Sequence, residues 1–241
     1  MAGAAATRYA GVAGGMGLKD ALGCKVKLCG LKREQDVDAA IAAMPDAVGF
    51  IIDVPGSRRS VSAERAAELV ERLRSKADET GHEKPCAVGV FVNQPAQTVA
   101  DVVRQAVLDV VQLHGEEDAQ YIDRLHALVE VPIMQAFTVH SEGDVAHAVE
   151  SSADMILLDA GSGDGQTFDW SLAQGVRRPF MLAGGLAADN VTRAIAATHP
   201  FGVDLSSGIE TDGLKDPSKM SSVVAAVRET AGEVGGYRQP E

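Results

Sequence analysis

The sequence predicts an α/β protein with a single (βα)8 TIM barrel, and three observations support that prediction. Eight short apolar runs recur along the chain, amphipathic stretches separate them, and most successive runs begin roughly 20 to 27 residues apart, the length of one strand and one helix. Eight such units in one chain close into a barrel. Hydrophobic residues make up 46% of the sequence and aromatic residues only 4%, so the core must be built from Ala, Val, Leu and Ile.

The eight apolar runs are the predicted strands. In chain order they are VKLCG (26–30), AVGFII (47–52), AVGVFV (87–92), DVVQL (109–113), VPIMQAF (131–137), DMILLD (154–159), PFMLAG (179–184) and GVDLSS (202–207). Such nearly continuous apolar runs are typical of parallel strands that are covered on both faces.

The segments between the strands carry apolar residues three and four positions apart, the period of an amphipathic helix. Ser62 and Pro95 stand where helix starts favour them. An open doubly wound sheet is the alternative fold, but no GxGxxG follows the first strand and the near-equal units favour closure.

We expect one barrel domain over residues 24–231, with a flexible N-terminal extension (1–23) and a flexible C-terminal tail (232–241). A flexible extension is favoured over a transit peptide, and no apolar run is long enough to span a bilayer.

Three cysteines without CxxC spacing argue against disulfides and zinc and fit a cytoplasmic protein. The net charge of -12 argues against nucleic acid as a partner.

Cys29 ends the first strand, where barrels place their chemistry. Residues alternate between the two faces of a strand, so Lys27 and Cys29 share one face and Val26 and Leu28 the other. The Val/Leu face suits the helix layer, which points Lys27 and Cys29 into the barrel. A buried structural cysteine is the alternative interpretation.

Asp159 closes the sixth strand, and burying a carboxylate there is unfavourable unless it is used or paired. A helix-capping role is the alternative. Strands one and six lie three steps apart around the ring, so Cys29 and Asp159 would face each other across the mouth. The GSGDG loop that follows, with Asp164, is expected either to cover a substrate or simply to connect two elements.

Gln112 and His114 end the fourth strand and are predicted to face inward. A nucleophilic Cys29–His114 dyad is disfavoured because strands one and four lie almost opposite each other. His114 is therefore expected to line the pocket or to be structural. The remaining histidines show no metal-ligand spacing, and no metal site is predicted.

Two glycine-rich turns, LAGGLAADN (182–190) and DLSSGIE (204–210), follow strands seven and eight. Barrels often bind a substrate phosphate there through backbone amides. The loop PGSRRSVSAE after strand two carries Arg58 and Arg59, which are either surface charges or a clamp for a carboxylate.

The motifs KLCGL, GSRRSVS, VGVFVN, VVQLHG, ILLDAGSGDGQTFDW, LAGGL and GVDLSSGIE resemble, in this order, those of the phosphoribosylanthranilate isomerases of tryptophan biosynthesis. The resemblance implies a (βα)8 barrel that needs neither metal nor organic cofactor. It implies an Amadori rearrangement of N-(5-phosphoribosyl)anthranilate to 1-(2-carboxyphenylamino)-1-deoxyribulose 5-phosphate. The expected partner is this small phosphosugar–anthranilate substrate, bound by a monomer or a weak homodimer.

The resemblance also implies roles for individual residues. Cys29 resembles the general base and Asp159 the general acid, and Arg59 rather than Arg58 matches the arginine that holds the anthranilate carboxylate. The loop before that arginine, IDVPGSRR, is more acidic than family loops. The residues that resemble the phosphate-binding turns are Gly184, Gly185, Ser206, Ser207 and Gly208.

A cysteine thiol with a pKa of about 8.5 is scarcely ionised at neutral pH. We hypothesise that Lys27, one layer beneath Cys29, lowers that pKa. Asp204 on the adjacent eighth strand would be the counter-charge of Lys27.

Three alternatives stay open at this point. The related sugar isomerase of histidine biosynthesis carries aspartate where this chain has Cys29, although activity on both substrates is compatible with the sequence. A non-catalytic phosphosugar-binding barrel would keep the glycine turns but would have no need of Cys29 and Asp159.

Overall fold

The computed structural model describes residues 24–160 and 167–233. The expectations for the N-terminal extension (1–23), for the GSGDG loop with Asp164, and for residues 234–241 of the C-terminal tail lie outside the described residues.

Eight parallel strands form a closed ring. The strands are β1 (Lys25–Cys29), β2 (Ala47–Ile52), β3 (Cys86–Phe91), β4 (Val110–Leu113), β5 (Ile133–Thr138), β6 (Met155–Asp159), β7 (Phe180–Leu182) and β8 (Gly202–Leu205). Each strand pairs with the next, and β1 pairs with both β2 and β8. The predicted (βα)8 barrel is therefore confirmed, and the open sheet is excluded.

Seven α-helices cover the ring over the described residues. They are α1 (Glu34–Ala43), α2 (Ala63–Thr80), α3 (Ala96–Ala106), α4 (Ala119–His126), α5 (Glu142–Val149), α6 (Val191–Thr198) and α7 (Pro217–Glu233). Between β6 and β7 the described residues form only a short 3₁₀ helix, Trp170–Ala173, so the expectation of an α-helix in every unit is wrong there. Gly175 follows with φ +81°, a conformation that ends a helix.

Three further short strands lie at the mouth of the barrel. Ser60–Val61 extends the sheet beside the end of β2. Glu210–Thr211 and Leu214–Lys215 form an antiparallel hairpin directly after β8, with Asp212 and Gly213 in left-handed conformations at its turn. This hairpin, residues 210–215, has Glu210 directly opposite Lys215.

The barrel interior is mostly apolar, with polar side chains at the mouth and the buried Lys27–Asp204 ion pair beneath it. The apolar part is one buried cluster, made up of Ala47, Cys86, Val88, Val110, Met134, Ala136, Met155, Leu157, Met181 and Ala183. Every second residue of a strand faces inward, so Gln112 follows Val110 and Asp159 follows Leu157 into the interior. The strand pattern thus delivers polar side chains to the carboxyl ends of the strands. None of the helices described is both long enough and apolar enough to cross a membrane.

Candidate active site

Cys29 lies at the mouth end of β1, and only 6% of its surface is exposed. Its partner across the β1–β2 ladder is Gly49. A Cβ atom at Gly49 would lie 2.7 Å from Cys29 Sγ and 3.1 Å from Lys27 Nζ, so the glycine leaves the space that these two side chains occupy. Sequence reasoning missed Gly49, although a glycine inside a strand often marks such a close approach.

Lys27 is fully buried one layer beneath Cys29. Its Nζ donates to Asp204 Oδ2 over 2.7 Å, and the two residues are register partners on β1 and β8. Burial acts to lower the pKa of Lys27, but the Asp204 carboxylate and the neighbouring Cys29 outweigh it and raise the pKa above its ordinary value. Lys27 therefore stays a cation beneath the thiol.

The pKa of the Cys29 thiol is raised above its ordinary value, mainly by burial. Lys27 and Lys215 act to lower this pKa and Asp204 acts to raise it. The hypothesis that Lys27 brings the pKa of Cys29 down is thus right about the direction of its own effect and wrong about the net result. Burial prevails, so the thiol of the free protein is protonated at neutral pH.

Asp159 ends β6, with His114 beside it. His114 Nε2 lies 3.5 Å from Asp159 Oδ2, and the Gln112 amide nitrogen lies 3.1 Å from His114 Nδ1. With Gln112 donating to Nδ1, the imidazole carries its proton on Nε2, toward the Asp159 carboxylate. His114 was expected either to line the pocket or to be structural. In the structure it lies beside Asp159, the predicted general acid. Gln112 Oε1 and Asp204 Oδ1 are buried without a hydrogen-bond partner in the described part of the chain.

The first glycine-rich turn packs against Asp159. Gly184 and Gly185 have φ angles of +89° and +62°, which favour glycine. A Cβ at Gly184 would lie 2.5 Å from the Ala160 nitrogen and 2.9 Å from Asp159 Oδ1. The predicted phosphate turn and the predicted acid are therefore in direct contact.

The second glycine-rich turn packs against the first turn and against Cys29. A Cβ at Gly208 would overlap the carbonyl oxygen of Leu186. Ser206 Oγ donates to the Cys29 carbonyl oxygen over 3.3 Å, and Ser207 opens a short 3₁₀ helix. The two turns thus connect the end of β1 to the end of β6.

Four charged side chains cluster beside these turns, and two of them escaped sequence reasoning. Arg59 Nε lies 2.7 Å from Glu210 Oε1, and Arg59 Nη2 lies 3.0 Å from Glu210 Oε2. Arg58 Nη2 also reaches Glu210 Oε2 over 2.7 Å, and the buried Lys215 reaches Oε1 over 2.9 Å. Glu210 ends the motif DLSSGIE, whose small residues predict a phosphate-binding turn but do not indicate that Glu210 contacts the arginines. Arg58, Arg59, Lys215 and Glu210 are called the arginine cluster below.

Burial alone would raise the pKa of Glu210, but the hydrogen bonds and charges of Arg59 and Lys215 outweigh it and lower the pKa from 4.5 to about 2. A carboxyl whose pKa is lower in the folded than in the unfolded chain stabilises the fold above the unfolded pKa, and this stabilisation is lost as the pH falls. For Glu210 the loss falls between pH 4.5 and about 2.

We therefore expect Glu210→Gln to weaken the dependence of the free energy of unfolding on pH at acid pH. Urea unfolding at a series of pH values from about 6 down to about 2 should show the wild-type free energy of unfolding falling more steeply than that of the variant. Glu71→Gln, at an exposed position of α2, is the matched control and should follow the wild-type slope. Parallel curves for wild type and Glu210→Gln would contradict the assignment.

Within residues 24–160 and 167–233, no group of three or more His, Cys, Asp or Glu side chains is arranged to hold a metal ion. Cys29 and Asp159 are side chains able to transfer protons, and the glycine-rich turns and the arginine cluster carry groups able to bind anions.

Comparisons with known proteins agree with this geometry. A family model described as N-(5'phosphoribosyl)anthranilate (PRA) isomerase matches residues 26–226. The N-(5'-phosphoribosyl)anthranilate isomerase of Acetivibrio thermocellus is 40% identical over 223 residues, covering 87% of this chain and 98% of that protein. The protein of the same name from Endomicrobium trichonymphae is 39% identical over 209 residues, covering 85% of this chain and 98% of its own length.

A solved structure supports the same relationship. It is a crystal structure of phosphoribosyl anthranilate isomerase in complex with reduced 1-(o-carboxyphenylamino)-1-deoxyribulose 5-phosphate. It superposes with a TM-score of 0.72 at 33% sequence identity and covers 86% of this chain and 99% of that one.

Proposed function

Since the chain belongs to the N-(5'-phosphoribosyl)anthranilate isomerase family, we propose that Cys29 and Asp159 carry out its reaction as general base and general acid. The chain is an aldose–ketose isomerase of tryptophan biosynthesis. The observation that supports the two roles is the shared pair of turns: Ser206 binds the end of β1 at Cys29, and Gly184 packs against Asp159. A substrate anchored on those turns lies between the two groups.

The reaction needs one proton donor and one proton acceptor, used in succession. Asp159 gives a proton to the furanose ring oxygen, the bond from that oxygen to C1 breaks, and the nitrogen lone pair forms an iminium at C1. Cys29 then removes the proton from C2, and the electron pair of that bond forms the double bond of an enolamine. Return of a proton to C1 and loss of the hydroxyl proton at C2 give the aminoketose.

The raised pKa of Cys29 fits this order of events. A thiol that stays protonated in the free protein does not react with other electrophiles before the substrate is bound. Ring opening then places a positive iminium beside the sulfur, and this nearby cation favours transfer of the thiol proton to a water molecule, which leaves a thiolate to take the proton from C2. The Cys29 thiolate is thus formed only when the substrate is bound, and the charge of Lys27 beneath it also favours the thiolate.

The residues of the two glycine-rich turns and Arg59 bind the two anionic ends of the substrate. Gly184, Gly185, Ser206, Ser207 and Gly208 hold the phosphate, since both turns present backbone groups that side chains would obstruct. The guanidinium of Arg59 holds the anthranilate carboxylate, because its stem packs against Gly30, the residue after Cys29.

Two broader expectations stay proposals. We place the enzyme in the cytoplasm, in keeping with its three cysteines, none of which forms a disulfide in the described chain. We expect a monomer or a weak homodimer with no nucleic-acid partner, in line with the net charge of -12.

The decisive assay follows the fluorescence of phosphoribosylanthranilate as the purified protein consumes it, beside a parallel assay with the aminoaldose substrate of histidine biosynthesis. We expect turnover of the first substrate and at most weak turnover of the second. Turnover of the second substrate alone would contradict the proposal, and comparable turnover of both would establish the dual activity.

A further inference from the structure

We propose that Glu210 is a positioning residue that orients Arg59 toward the substrate carboxylate and so contributes to specificity for a carboxylated aromatic amine. The inference rests on the binding role proposed above for Arg59. It concerns how the protein presents that arginine, which neither the strand pattern nor the family resemblance addresses.

The first support is that Glu210 binds only one edge of the Arg59 guanidinium. Arg59 binds Glu210 through Nε and Nη2, the side edge of the planar fork. A guanidinium has five N–H groups, and the edge formed by Nη1 and the second hydrogen of Nη2 is a separate bidentate edge. Glu210 thus occupies one edge and fixes the plane of the guanidinium, which leaves the end edge to meet a second carboxylate.

The second support is the restriction of the Arg59 stem on its other side. A Cβ at Gly30 would lie 2.7 Å from Arg59 Cδ, and Gly30 itself has φ +80° directly after Cys29. The stem therefore lies against the end of β1. Contact with Gly30 and the two hydrogen bonds to Glu210 leave the Arg59 guanidinium little rotational freedom. Less conformational entropy is therefore lost when a ligand binds to it.

The third support is the charge balance of the arginine cluster. The Glu210 side chain is only 5% exposed, yet three cations contact it: Arg58, Arg59 and Lys215. One carboxylate among three cations leaves the cluster with a net positive charge. Glu210 can therefore orient Arg59 without abolishing the attraction for an anionic substrate.

The fourth support is the rigid mounting of Glu210. It pairs directly with Lys215 across the hairpin of residues 210–215, and Lys219 Nζ donates to its backbone carbonyl over 2.6 Å. Lys215 also donates to the carbonyl oxygen of Ser206 over 2.8 Å, so the hairpin is tied to the second glycine-rich turn. Lys215 thus connects the proposed phosphate site, at Ser206, with the proposed carboxylate site, at Arg59 and Glu210.

The test compares two ligands that differ only in the carboxylate. One is the reduced 1-(o-carboxyphenylamino)-1-deoxyribulose 5-phosphate, and the other is the same compound with a plain phenyl ring. Isothermal titration gives the ratio of their dissociation constants, and effects on the phosphate cancel in that ratio. We expect Glu210→Gln to lower the preference for the carboxylated ligand by about tenfold, because the glutamine amide nitrogen repels one arm of the fork.

Two further variants separate the possible outcomes. Asp38→Asn is the matched control: this carboxylate on α1 binds Arg72 through the same side edge, Nε and Nη2, but in the helix layer, so the preference should stay within about twofold of wild type. Arg59→Met should abolish the preference. If Arg59→Met abolishes it while Glu210→Gln leaves it intact, the positioning role is refuted and the proposed binding role of Arg59 stands. If Arg59→Met leaves it intact, the binding role itself is refuted.

Glu210→Gln leaves Lys215 buried without its counter-charge, which could prevent folding. The double variant Glu210→Gln/Lys215→Met removes both buried charges and provides the same measurement. Its preference should fall as in the single variant, and a wild-type preference in this folded double variant would overturn the proposal.

Discussion

Replacing Asp159 by asparagine is expected to lower kcat by about 10³-fold, within the range that positioned general acids contribute. The amide has the shape of the carboxyl group and can still accept from His114, which lies 3.5 Å away, but it cannot give a proton to the ring oxygen. The dissociation constant of the product analogue, reduced 1-(o-carboxyphenylamino)-1-deoxyribulose 5-phosphate, should change by less than about threefold, because the substitution removes an interaction made only in the transition state.

Cys29→Ala should give a loss of similar size, since no other described thiol lies near the mouth to take the proton from C2. Asp101→Asn is the matched control: this exposed carboxylate on α3 binds Arg104 and Gln97 of the same helix on the surface, and the variant should keep wild-type kcat. Retention of more than about a tenth of kcat by Asp159→Asn would mean that another group protonates the ring oxygen.

Strand periodicity was sufficient to predict the barrel and the layering of its interior. AVGFII matches β2 (Ala47–Ile52) residue for residue, and alternation along β1 together with ring closure leads directly to the Lys27–Asp204 contact. Such inferences succeed because a strand has a strict period of two and a closed ring has known neighbours.

The features that sequence reasoning missed depend on registers and loops that carry no such period. Arg59 and Glu210 are 151 positions apart, and their contact depends on the hairpin after β8. Gly49 gains its meaning only from the register that places it opposite Cys29. The pKa of Cys29 is a balance between burial and three charged neighbours, and the depth of burial cannot be obtained from strand alternation. The lack of an α-helix among the described residues between β6 and β7 belongs to the same group, because DWSLAQGVRR contains too few residues between turns for a full amphipathic pattern.

Replacing Lys27 by methionine is expected to lower the free energy of unfolding by about 3 to 5 kcal/mol, because it leaves the buried Asp204 without its cation. Methionine has a similar length without the charge, so the loss comes from the unpaired carboxylate rather than from a cavity. The double variant Lys27→Met/Asp204→Asn removes both charges and should recover most of that free energy in urea unfolding.

A second buried lysine on the same strand provides the control that isolates the cause. Lys25 pairs with Asp46 over 3.0 Å, but Asp46 is also bound by Arg228 and by the backbone N–H of Val26. Lys25→Met therefore leaves its carboxylate partnered and should lower the free energy of unfolding by only about 1 kcal/mol. Equal losses at the two lysines, or no recovery in the double variant, would mean that filling the barrel matters more than pairing Lys27 with Asp204. The cation beneath Cys29 would then be incidental to stability.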